Sequence, residues 1–202
     1  KYSIDESMAF EDLSQFVAQD KIADAVIISH YDLLHYDTAQ VALLKGYDVL
    51  VETPVTNSLD GLVHLKDLSE KNKDRLYMVA YNNRYSDFYN KLKEIRNDEK
   101  LGNLVSISYN VDIGYKDFIH NYVRGNWRIT SDTATIMLTN SCQDVDMMIE
   151  LAGGDCQKVS CFSDLRVFNW DSFNTKMSEN CLRCLEEEGC PFSAKKMYLN
   201  ED

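Results

Sequence analysis

Asp24-Ala25-Val26-Ile27-Ile28-Ser29 is the stretch that decides the fold, and two similar apolar runs, residues 48–52 and 76–81, follow it along the chain. Short continuous apolar runs are typical of strands that are buried on both faces of a parallel sheet. Residues 36–45 and 58–71 lie between these runs and have the apolar spacing of helices. The order strand, helix, strand, helix, strand with short connections predicts parallel strands joined by right-handed crossovers.

The helices of this first part have recognisable ends. Residues 8–19 have helical spacing, residues 36–45 are followed by Gly46 at a C-cap position, and Ser58 precedes the next helix as its N-cap. That last helix is expected to bury one face, formed by Leu59, Leu62 and Val63, with Leu65 at its margin.

The second part of the chain has a different pattern. Residues 85–97 and 143–151 have the spacing of amphipathic helices. Residues 104–113 alternate apolar and polar side chains, as an antiparallel strand with one solvated face does, and residues 159–168 indicate one or two further strands.

These patterns predict two domains. Residues 1–81 are expected to form a partial Rossmann-type dinucleotide-binding domain with a parallel α/β sheet. Residues 82–202 are expected to form an α+β substrate or oligomerisation domain with an open, mostly antiparallel sheet that is incomplete at the C-terminus.

Composition excludes several classes of function. The 202 residues have a formal net charge of −12 and a pI of about 4.7, so no basic surface for nucleic acid or anionic lipid is expected. No apolar run reaches the roughly 20 residues that a membrane-spanning helix needs. Residues 1–6 are polar and contain no signal-peptide core, so the six cysteines indicate a reducing compartment and a cytoplasmic protein.

Four segments contain side chains that could form a ligand site. Residues 28–35 and 49–54 follow buried strands, at the edge of the sheet where ligands bind in open α/β folds. Residues 123–128 place Trp127 between two arginines, and residues 140–146 combine amides, a thiol and carboxylates at the start of a helix.

The order and spacing of these segments resemble the glucose-fructose oxidoreductase / inositol dehydrogenase (Gfo/Idh/MocA) family. The resemblance covers nearly the whole chain and rests on an ordered set of motifs: the loop ending at His35, Glu52-Thr53-Pro54, Asn83-Arg84-Tyr85, Leu101-Gly102-Asn103-Leu104, the run from Arg124 to Arg128, and the tail from Cys181 to Tyr198. It implies a Rossmann domain that binds NAD or NADP, followed by an α+β domain. It also implies hydride transfer between the nicotinamide and a carbinol carbon of a sugar or cyclitol.

The resemblance further implies roles for particular residues. The cofactor would be contacted by Ser29, His30, His35, Glu52 and Pro54. The sugar or polyol would be bound by Arg84, Tyr122, Arg124, Trp127 and Asn140, with Asp144 as a further hydrogen-bonding group.

Structural roles remain open for several of these residues. His35 could cap or pack a helix start, and Arg84 could tie the two domains together. Arg124 could form a stacked structural pair with Arg128 around Trp127.

The chain departs from the family pattern at positions that matter for the chemistry. It contains no G-x-G-x-x-G turn, and residues 1–6 align roughly one βαβ unit into the pattern, so the phosphate-binding unit is expected to be missing. Thr53 stands where the family has a lysine that stabilises alkoxide character. Gln143 stands where this subgroup has a histidine that takes the hydroxyl proton. Both changes keep hydrogen bonding but remove charge or basicity.

Three cysteines cluster near the end of the chain. Cys181, Cys184 and Cys190 offer soft ligands at a spacing compatible with zinc or an iron–sulfur cluster. A fourth ligand could be Cys156 or Cys161. The alternative is three free thiols in a loop.

Together these features favour a fragment or degenerate copy of an NAD(P)-dependent sugar or polyol oxidoreductase that does not transfer hydride on its own. One alternative is a working enzyme whose front end precedes this sequence and whose proton carrier is Tyr122 or His120. Another is a non-catalytic sugar-binding or interaction module. Homo-oligomers are expected, through the open sheet of the second domain and the apolar edge of residues 25–29.

Overall fold

The computed structural model describes residues 5–199 of the chain. Its sheet has three parallel strands, β1 (Ala25–Ile28), β2 (Asp48–Val51) and β3 (Tyr77–Val79), in the order β1-β2-β3. The partial Rossmann-type sheet is therefore confirmed. The expected alignment of residues 1–6 within the family pattern falls largely on residues 1–4, which lie outside the described residues.

The helices of the described residues include all those that the sequence predicts. They are α1 (Leu13–Ala18), α2 (His35–Leu44), α3 (Leu59–Lys71), α4 (Asp87–Arg96), α5 (Tyr115–Phe118), α6 (Ile136–Thr139), α7 (Ser141–Ala152) and α8 (Ala194–Tyr198). A π-helical segment, Ile119–Arg124, continues α5. Short 3-10 helices lie at Glu6–Met8, Asp32–Leu34, Asn82–Tyr85, Glu99–Leu101, Asn126–Arg128, Trp170–Ser172 and Cys181–Arg183. None of the helices within residues 5–199 is long and apolar enough to cross a bilayer.

Helix ends follow the local signals in the sequence. After α2, Gly46 adopts a φ of 77°, and its N–H donates to the Leu43 carbonyl over 3.0 Å. A left-handed residue at this position is most easily a glycine. Ser58 caps α3 by accepting from the Gly61 N–H over 3.2 Å. The first helix is shorter than predicted, because Asp12 caps it by accepting from the Gln15 N–H.

One face of the sheet forms the core. Ile28, Val49 and Val51 are at most 2% exposed, and they cluster with side chains of α2 and α3, namely Ala39, Ala42, Leu43, Leu65 and Leu68. This packing positions the two helices that follow β1 and β2 and so fixes the loops between them.

The opposite face of the sheet is open, which corrects the expectation that the strands are buried on both sides. Ile27 is 72% exposed and Met78 is 43% exposed. Successive side chains of a strand point to opposite faces, and α2 and α3 pack on the face of Ile28 and Val51. A continuous apolar run therefore shows that a strand is suited to burial, and not that both faces are covered.

The buried face of α3 also differs from the prediction. Leu65 and Leu68 are 1% and 9% exposed. The three residues predicted to form the buried face, Leu59, Leu62 and Val63, are each at least half exposed. The inward face is the one with spacing 61, 65 and 68, which is as regular a helical stripe as the predicted one.

Gly61 explains why this face is turned inward. A Cβ at that position would lie 3.2 Å from Tyr36 Cδ2 of α2 and 2.9 Å from Thr56 Oγ1. The absence of a side chain lets α3 approach α2 closely, so the face with the glycine packs and the face with Leu59 does not.

Internal contacts divide the chain into two compact units. The first comprises residues 1–109 and 126–154 and includes the sheet; the second comprises residues 110–125 and 155–202. The first unit contains α4 and α7, and α7 ends at Gly153 with a φ of 71°. The predicted domain limits, 1–81 and 82–202, stay a prediction.

The strands predicted at residues 104–113 and 159–168 are not formed in the described part of the chain. Many of their side chains are exposed, with Val105 at 94% and Phe162 at 96%. A strand needs a neighbour to satisfy its backbone N–H and C=O groups, and within residues 5–199 neither segment is paired with one. The antiparallel part of the predicted architecture is therefore not seen there.

Candidate functional site at the carboxyl edge of the sheet

The three strands end at one level. The parallel register places Ile28 beside Val51 and Val51 beside Val79, so the chain leaves every strand at the same edge. The loops after the strands therefore share the edge at which open α/β sheets bind ligands.

The start of α7 reaches this edge and joins it to the loop after β2. Gln143 Nε2 donates to Thr53 Oγ1 over 3.3 Å, and Gln143 Oε1 accepts from the Asn83 backbone N–H over 3.4 Å. Thr53 and Gln143, the two positions that the resemblance marks as substituted, therefore contact each other. The group formed by Thr53, Asn83, Gln143 and Asp144 is called the edge site below.

A carboxylate with a phenol partner lies next to Gln143. Asp144 Oδ1 accepts from the Tyr109 hydroxyl over 2.9 Å. This hydrogen bond, with a smaller effect of burial, raises the pKa of the Tyr109 phenol, so the phenol keeps its proton and donates it to Asp144. Tyr109 is not predictable as a site residue from the sequence, because its place in an alternating segment indicates only a strand.

Cys142 lies beside the same group. Burial raises the pKa of the Cys142 thiol, and a hydrogen bond with Thr53 acts against that shift. The thiol is therefore neutral near neutral pH. Around Thr53 and Gln143, the described side chains offer hydroxyl, amide and thiol groups, with one carboxylate.

Arg84 fastens α7 to the turn after β3. Its Nε and Nη2 donate to Asp146 Oδ2 and Oδ1 over 2.6 and 2.8 Å, and its Nη1 contacts Glu150. The hydrogen bonds to Asp146 are the main reason why the pKa of the Arg84 guanidinium is raised. A guanidinium committed to two carboxylates favours the structural alternative for Arg84, as a positioning residue for Gln143.

His35 joins the loop after β1 to the loop after β2. The ring is 2% exposed, with Nδ1 2.8 Å from the Pro54 carbonyl and Nε2 3.0 Å from the His30 carbonyl. His35 and Pro54 can therefore contribute to a cofactor site by fixing the positions of the loops after β1 and β2. Ser29 and His30 are exposed and Glu52 is half-buried, so their side chains stay accessible at this edge.

Asp32 anchors residues 126–134 to the loop after β1. Its Oδ2 accepts from the Ala134 N–H over 3.0 Å and from the Trp127 indole N–H over 3.3 Å. Trp127 also stacks on Tyr31, with 6.1 Å between the ring centroids. Asp32 is 6% exposed, and its Oδ1 has no hydrogen-bond partner among the described residues.

Sequence analysis did not single out Asp32, although its position was a usable signal. It is an acidic residue in a loop directly after a strand, inside one of the four segments proposed for a ligand site. The structure places Trp127 against this loop. The remaining predicted polyol-binding residue of the first unit, Asn140, is exposed and directly precedes α7.

Two predicted substrate-binding residues belong to the second unit. Arg124 ends the π-helical segment and donates to the Phe192 carbonyl and, over 3.3 Å, to Met197 Sδ. Tyr122 packs with its ring centroid 5.8 Å from that of Phe118. The edge site, in the first unit, contains neither of them.

The metal prediction has no support in the described part of the chain. Residues 5–199 contain no group of three or more His, Cys, Asp or Glu side chains that could hold a metal ion. Cys181 Sγ lies 3.7 Å from Arg124 Nη2, and Cys184 Sγ lies 4.0 Å from the Lys176 carbonyl. A guanidinium beside a sulfur repels a second cation at the same place, so nothing in these contacts supports the zinc or iron–sulfur interpretation of Cys181, Cys184 and Cys190.

The described residues do not form a cradle for a pyrophosphate. Within residues 5–199 the glycines with positive φ are Gly46, Gly102 and Gly153, and each follows a helix. A pyrophosphate is held where a glycine-rich turn joins a strand to a helix N-terminus. Because the loops after β1 and β2 contain no glycine, these residues do not fit that part of a dinucleotide.

Comparison with known proteins finds similarity to oxidoreductases. A family model described as "Oxidoreductase family, NAD-binding Rossmann fold" (GFO_IDH_MocA) matches residues 1–81. The chain is 24% identical over 178 residues to the oxidoreductase-named protein YteT of Bacillus subtilis (strain 168). This match covers 85% of this chain and 41% of that protein. It is 30% identical over 99 residues to glucose-6-phosphate 3-dehydrogenase of the same organism, covering 49% of this chain and 27% of that enzyme.

Solved structures show the same fold. Scyllo-inositol dehydrogenase from Lactobacillus casei, with bound NAD(H) and scyllo-inositol, matches with a TM-score of 0.58 and 21% identity over 71% of this chain and 41% of that chain. Myo-inositol 2-dehydrogenase from Lactobacillus plantarum matches with a TM-score of 0.59 and 15% identity, with the same coverage. The chain thus spans about two fifths of the length of these relatives.

Proposed function

We propose, from the match of residues 1–81 to a family model of Gfo/Idh/MocA oxidoreductases with an NAD-binding Rossmann fold, that this chain is a sugar- or polyol-dehydrogenase-type protein that binds a polyol but does not transfer hydride on its own. The contact between Gln143 and Thr53 is the observation on which the proposal rests. It describes the chain as a degenerate copy or a fragment of such a dehydrogenase.

The chemistry of the edge site supports the binding half of this proposal. A polyol presents several hydroxyl groups, each both a donor and an acceptor. The amide of Gln143, the hydroxyl of Thr53 and the carboxylate of Asp144 are groups that pair with hydroxyls. Relatives of this chain are named for a sugar phosphate and for inositols, which are ligands of this class.

The same groups support the non-catalytic half. Oxidation of a carbinol requires a group that takes the hydroxyl proton as hydride leaves, and charge that stabilises the developing alkoxide. Neither the amide of Gln143 nor the hydroxyl of Thr53 takes a proton near neutral pH. Asp144 already accepts a hydrogen bond from Tyr109, which occupies one of its oxygens.

A turnover assay with binding measured in parallel tests the proposal. The chain is incubated with NAD⁺ or NADP⁺ and a panel of inositols and aldoses, and NAD(P)H formation is followed by absorbance. We expect no NAD(P)H formation above the protein-free blank, together with saturable binding of at least one polyol by calorimetry. Turnover by the unaltered chain that is lost in Gln143→Ala would contradict the proposal, because it would make the glutamine part of a working site.

Cofactor binding is tested separately. Titration with NADH and NADPH, followed by nicotinamide fluorescence and by tryptophan quenching, is expected to show no saturation below millimolar concentrations, because the described residues do not fit the pyrophosphate. Tight binding would restore the alternative of a working dehydrogenase. Thr53→Lys and Gln143→His would then be combined, and turnover measured again.

A non-catalytic sugar-binding or interaction module is the second candidate. The hydrogen-bonded arrangement of Gln143, Thr53 and Asp144 favours it, because these groups hold one another in place and can pair with hydroxyl groups. This function predicts a polyol affinity that does not change when NAD⁺ is added. A shift of that affinity with NAD⁺ would favour the oxidoreductase-type function instead.

We further propose that the chain self-associates in the cytoplasm. β1 is at one edge of the three-stranded sheet and Ile27 is largely exposed, which leaves an apolar strand open to pairing. Light scattering coupled to size-exclusion chromatography is expected to give a mass above that of a monomer. A monodisperse monomer, or an oligomer unchanged by Ile27→Lys, would argue against this surface.

A further inference from the structure

We propose that Cys181 and Cys184 form a redox-active dithiol, which small-molecule disulfides such as oxidised glutathione convert reversibly to an intramolecular disulfide. This inference does not depend on the proposed function. Both thiols are free in the structure and both are half-buried, so both are reachable by a small reagent.

The backbone brings the two cysteines together. They are three positions apart, Cys181–Arg183 is a 3-10 helix, and the Cys184 N–H donates to the Cys181 carbonyl over 3.4 Å. A turn closed in this way brings the first and fourth Cα atoms within about 7 Å, and disulfides are found at Cα separations of roughly 4.4–6.8 Å. Side chains three residues apart in a 3-10 helix also lie on the same side.

The turn is held in this geometry by its own sequence. Asn180 caps it by accepting from the Leu182 N–H over 2.8 Å, and the Arg183 N–H donates to the Asn180 carbonyl over 3.0 Å. The neighbouring Leu182 and Leu185 are 64% and 81% exposed, so the turn is at the surface of the second unit. A pre-formed turn reduces the conformational entropy that closing a disulfide ring would otherwise cost.

Arg124 gives the two sulfurs different surroundings. Its Nη2 lies 3.7 Å from Cys181 Sγ, and the guanidinium is itself fixed by the Phe192 carbonyl and Met197 Sδ. Cys184 Sγ lies 4.0 Å from the Lys176 carbonyl oxygen, the electron-rich end of a neutral dipole. A fixed cation stabilises the negative sulfur that attacks a disulfide, so Cys181 is the attacking thiol and Cys184 the resolving thiol.

The reaction balances with oxidised glutathione as the oxidant. The Cys181 thiolate attacks one glutathione sulfur, forming a mixed disulfide and releasing one glutathione thiolate. The Cys184 thiolate then attacks Cys181 Sγ and releases the second glutathione thiolate. The two protein protons end on the two glutathione molecules, which also receive the two electrons.

Mass spectrometry of the whole chain tests the dithiol. The purified protein is equilibrated with graded ratios of oxidised to reduced glutathione, free thiols are blocked with iodoacetamide, and peptides are mapped. We expect a disulfide between Cys181 and Cys184 that rises with the ratio and disappears with dithiothreitol. No intramolecular disulfide at any ratio, or one that joins either cysteine to Cys190, would overturn the proposal.

Variants separate the two roles and control for folding. Cys184→Ser is expected to stop at a glutathione adduct on Cys181, whereas Cys161→Ser, which removes an exposed thiol of the same unit, is expected to leave the Cys181–Cys184 disulfide unchanged. Arg124→Gln is expected to slow the reaction of Cys181 several-fold, and Arg124→Lys to slow it less. Equal rates in all three proteins would remove the role of Arg124.

One further measurement distinguishes the dithiol from a metal site. The purified chain is analysed for zinc, and its thiols are titrated before and after addition of a chelator. We expect no bound zinc and no change in the number of reactive thiols. Equimolar zinc that protects Cys181, Cys184 and Cys190 from alkylation would overturn the proposal.

Discussion

The side-chain amide of Gln143 lies 3.3 Å from the hydroxyl oxygen of Thr53, although 90 residues separate the two in sequence. The resemblance of the sequence to the Gfo/Idh/MocA family implies a histidine and a lysine at these two positions. Here they hold two neutral groups that bond to each other. The pair retains the ability to hold a hydroxyl group in place, without a base for its proton.

Substitution of this pair is expected to reduce polyol affinity in a coupled way. Gln143→Ala and Thr53→Ala should each weaken inositol binding about tenfold, which corresponds to about 1.4 kcal/mol. The double variant should lose less than the sum of the two, because each single change already breaks the shared hydrogen bond. Calorimetric titration of all four proteins measures this coupling.

The control for this cycle is Gln157→Ala, which removes an exposed glutamine whose amide donates to the nearby Asp155 carbonyl. It should bind inositol like the unaltered chain. Strictly additive losses in the cycle, or an equal loss in the control, would show that the pair does not act together at a polyol site.

Asp32 is expected to stabilise the fold through the two N–H groups that it accepts. Asp32→Ala removes the carboxylate that accepts from the Ala134 N–H and from the Trp127 indole, and should lower the free energy of unfolding by roughly 2–4 kcal/mol. Asp32→Asn keeps one acceptor oxygen and removes a buried charge, so its loss should be less than half as large.

Urea unfolding in a Trp170→Phe background measures this difference, because Trp127 is then the one tryptophan left to report. Its emission should also shift to longer wavelength in Asp32→Ala, as the indole loses its anchor. If the alanine and asparagine variants were equally unstable, the buried charge rather than the acceptor geometry would be the important property of Asp32.

Gly61 is expected to tolerate no side chain. A methyl group there would meet Thr56 Oγ1 and the ring of Tyr36, so Gly61→Ala should lower the free energy of unfolding by about 1–3 kcal/mol in spite of the better helix propensity of alanine. Gly154→Ala is the matched control, since a Cβ at that glycine meets nothing within 4 Å. Denaturant unfolding of both variants should separate them, and an unaffected Gly61→Ala would show that α3 can move away from α2 at little cost.

Tyr77 should make stability depend on alkaline pH. Burial, assisted by the nearby Tyr81, raises the pKa of the Tyr77 phenol, and its hydroxyl has no hydrogen-bond partner among the described residues. Because the fold favours the neutral phenol, its contribution is fully present below the ordinary tyrosine pKa of about 10 and is lost as pH rises from there towards the raised value.

Unfolding free energies measured between pH 8 and roughly 11 test this sign. Tyr77→Phe should lose less stability over that range than the unaltered chain, and should be at least as stable at neutral pH because it removes an unpaired hydroxyl. Tyr115→Phe, which alters an exposed tyrosine, should follow the unaltered chain. Parallel pH curves for all three proteins would rule out a special contribution of Tyr77.

Much of the parallel sheet was predictable because its signals are local. The apolar runs at β1, β2 and β3, Gly46 after α2 and the Ser58 cap each involve residues a few positions apart, and the structure has all of them. Where two helical stripes were equally regular, as in α3, sequence periodicity selected the wrong one. The deciding factor was the fit of Gly61 against Tyr36, which belongs to another helix.

The residues of the candidate site were likewise only partly predictable from the sequence. The sequence identified Thr53 and Gln143 separately, and it missed Asp32 and Tyr109, whose partners Ala134 and Asp144 are distant in sequence. Alternation at residues 104–113 predicted a strand, but a strand also needs a neighbour, and none pairs with it in the described chain.

The sequence by itself determined the strands of the first part and the ends of α2 and α3, because propensity, periodicity and capping act over a few residues. Tertiary structure alone decided that Gln143 contacts Thr53, that Asp32 accepts from Ala134 and that α3 turns Gly61 inward. These contacts depend on which surfaces fit together after the chain has folded back on itself, and hydrogen bonds between distant residues leave no local pattern from which to predict them.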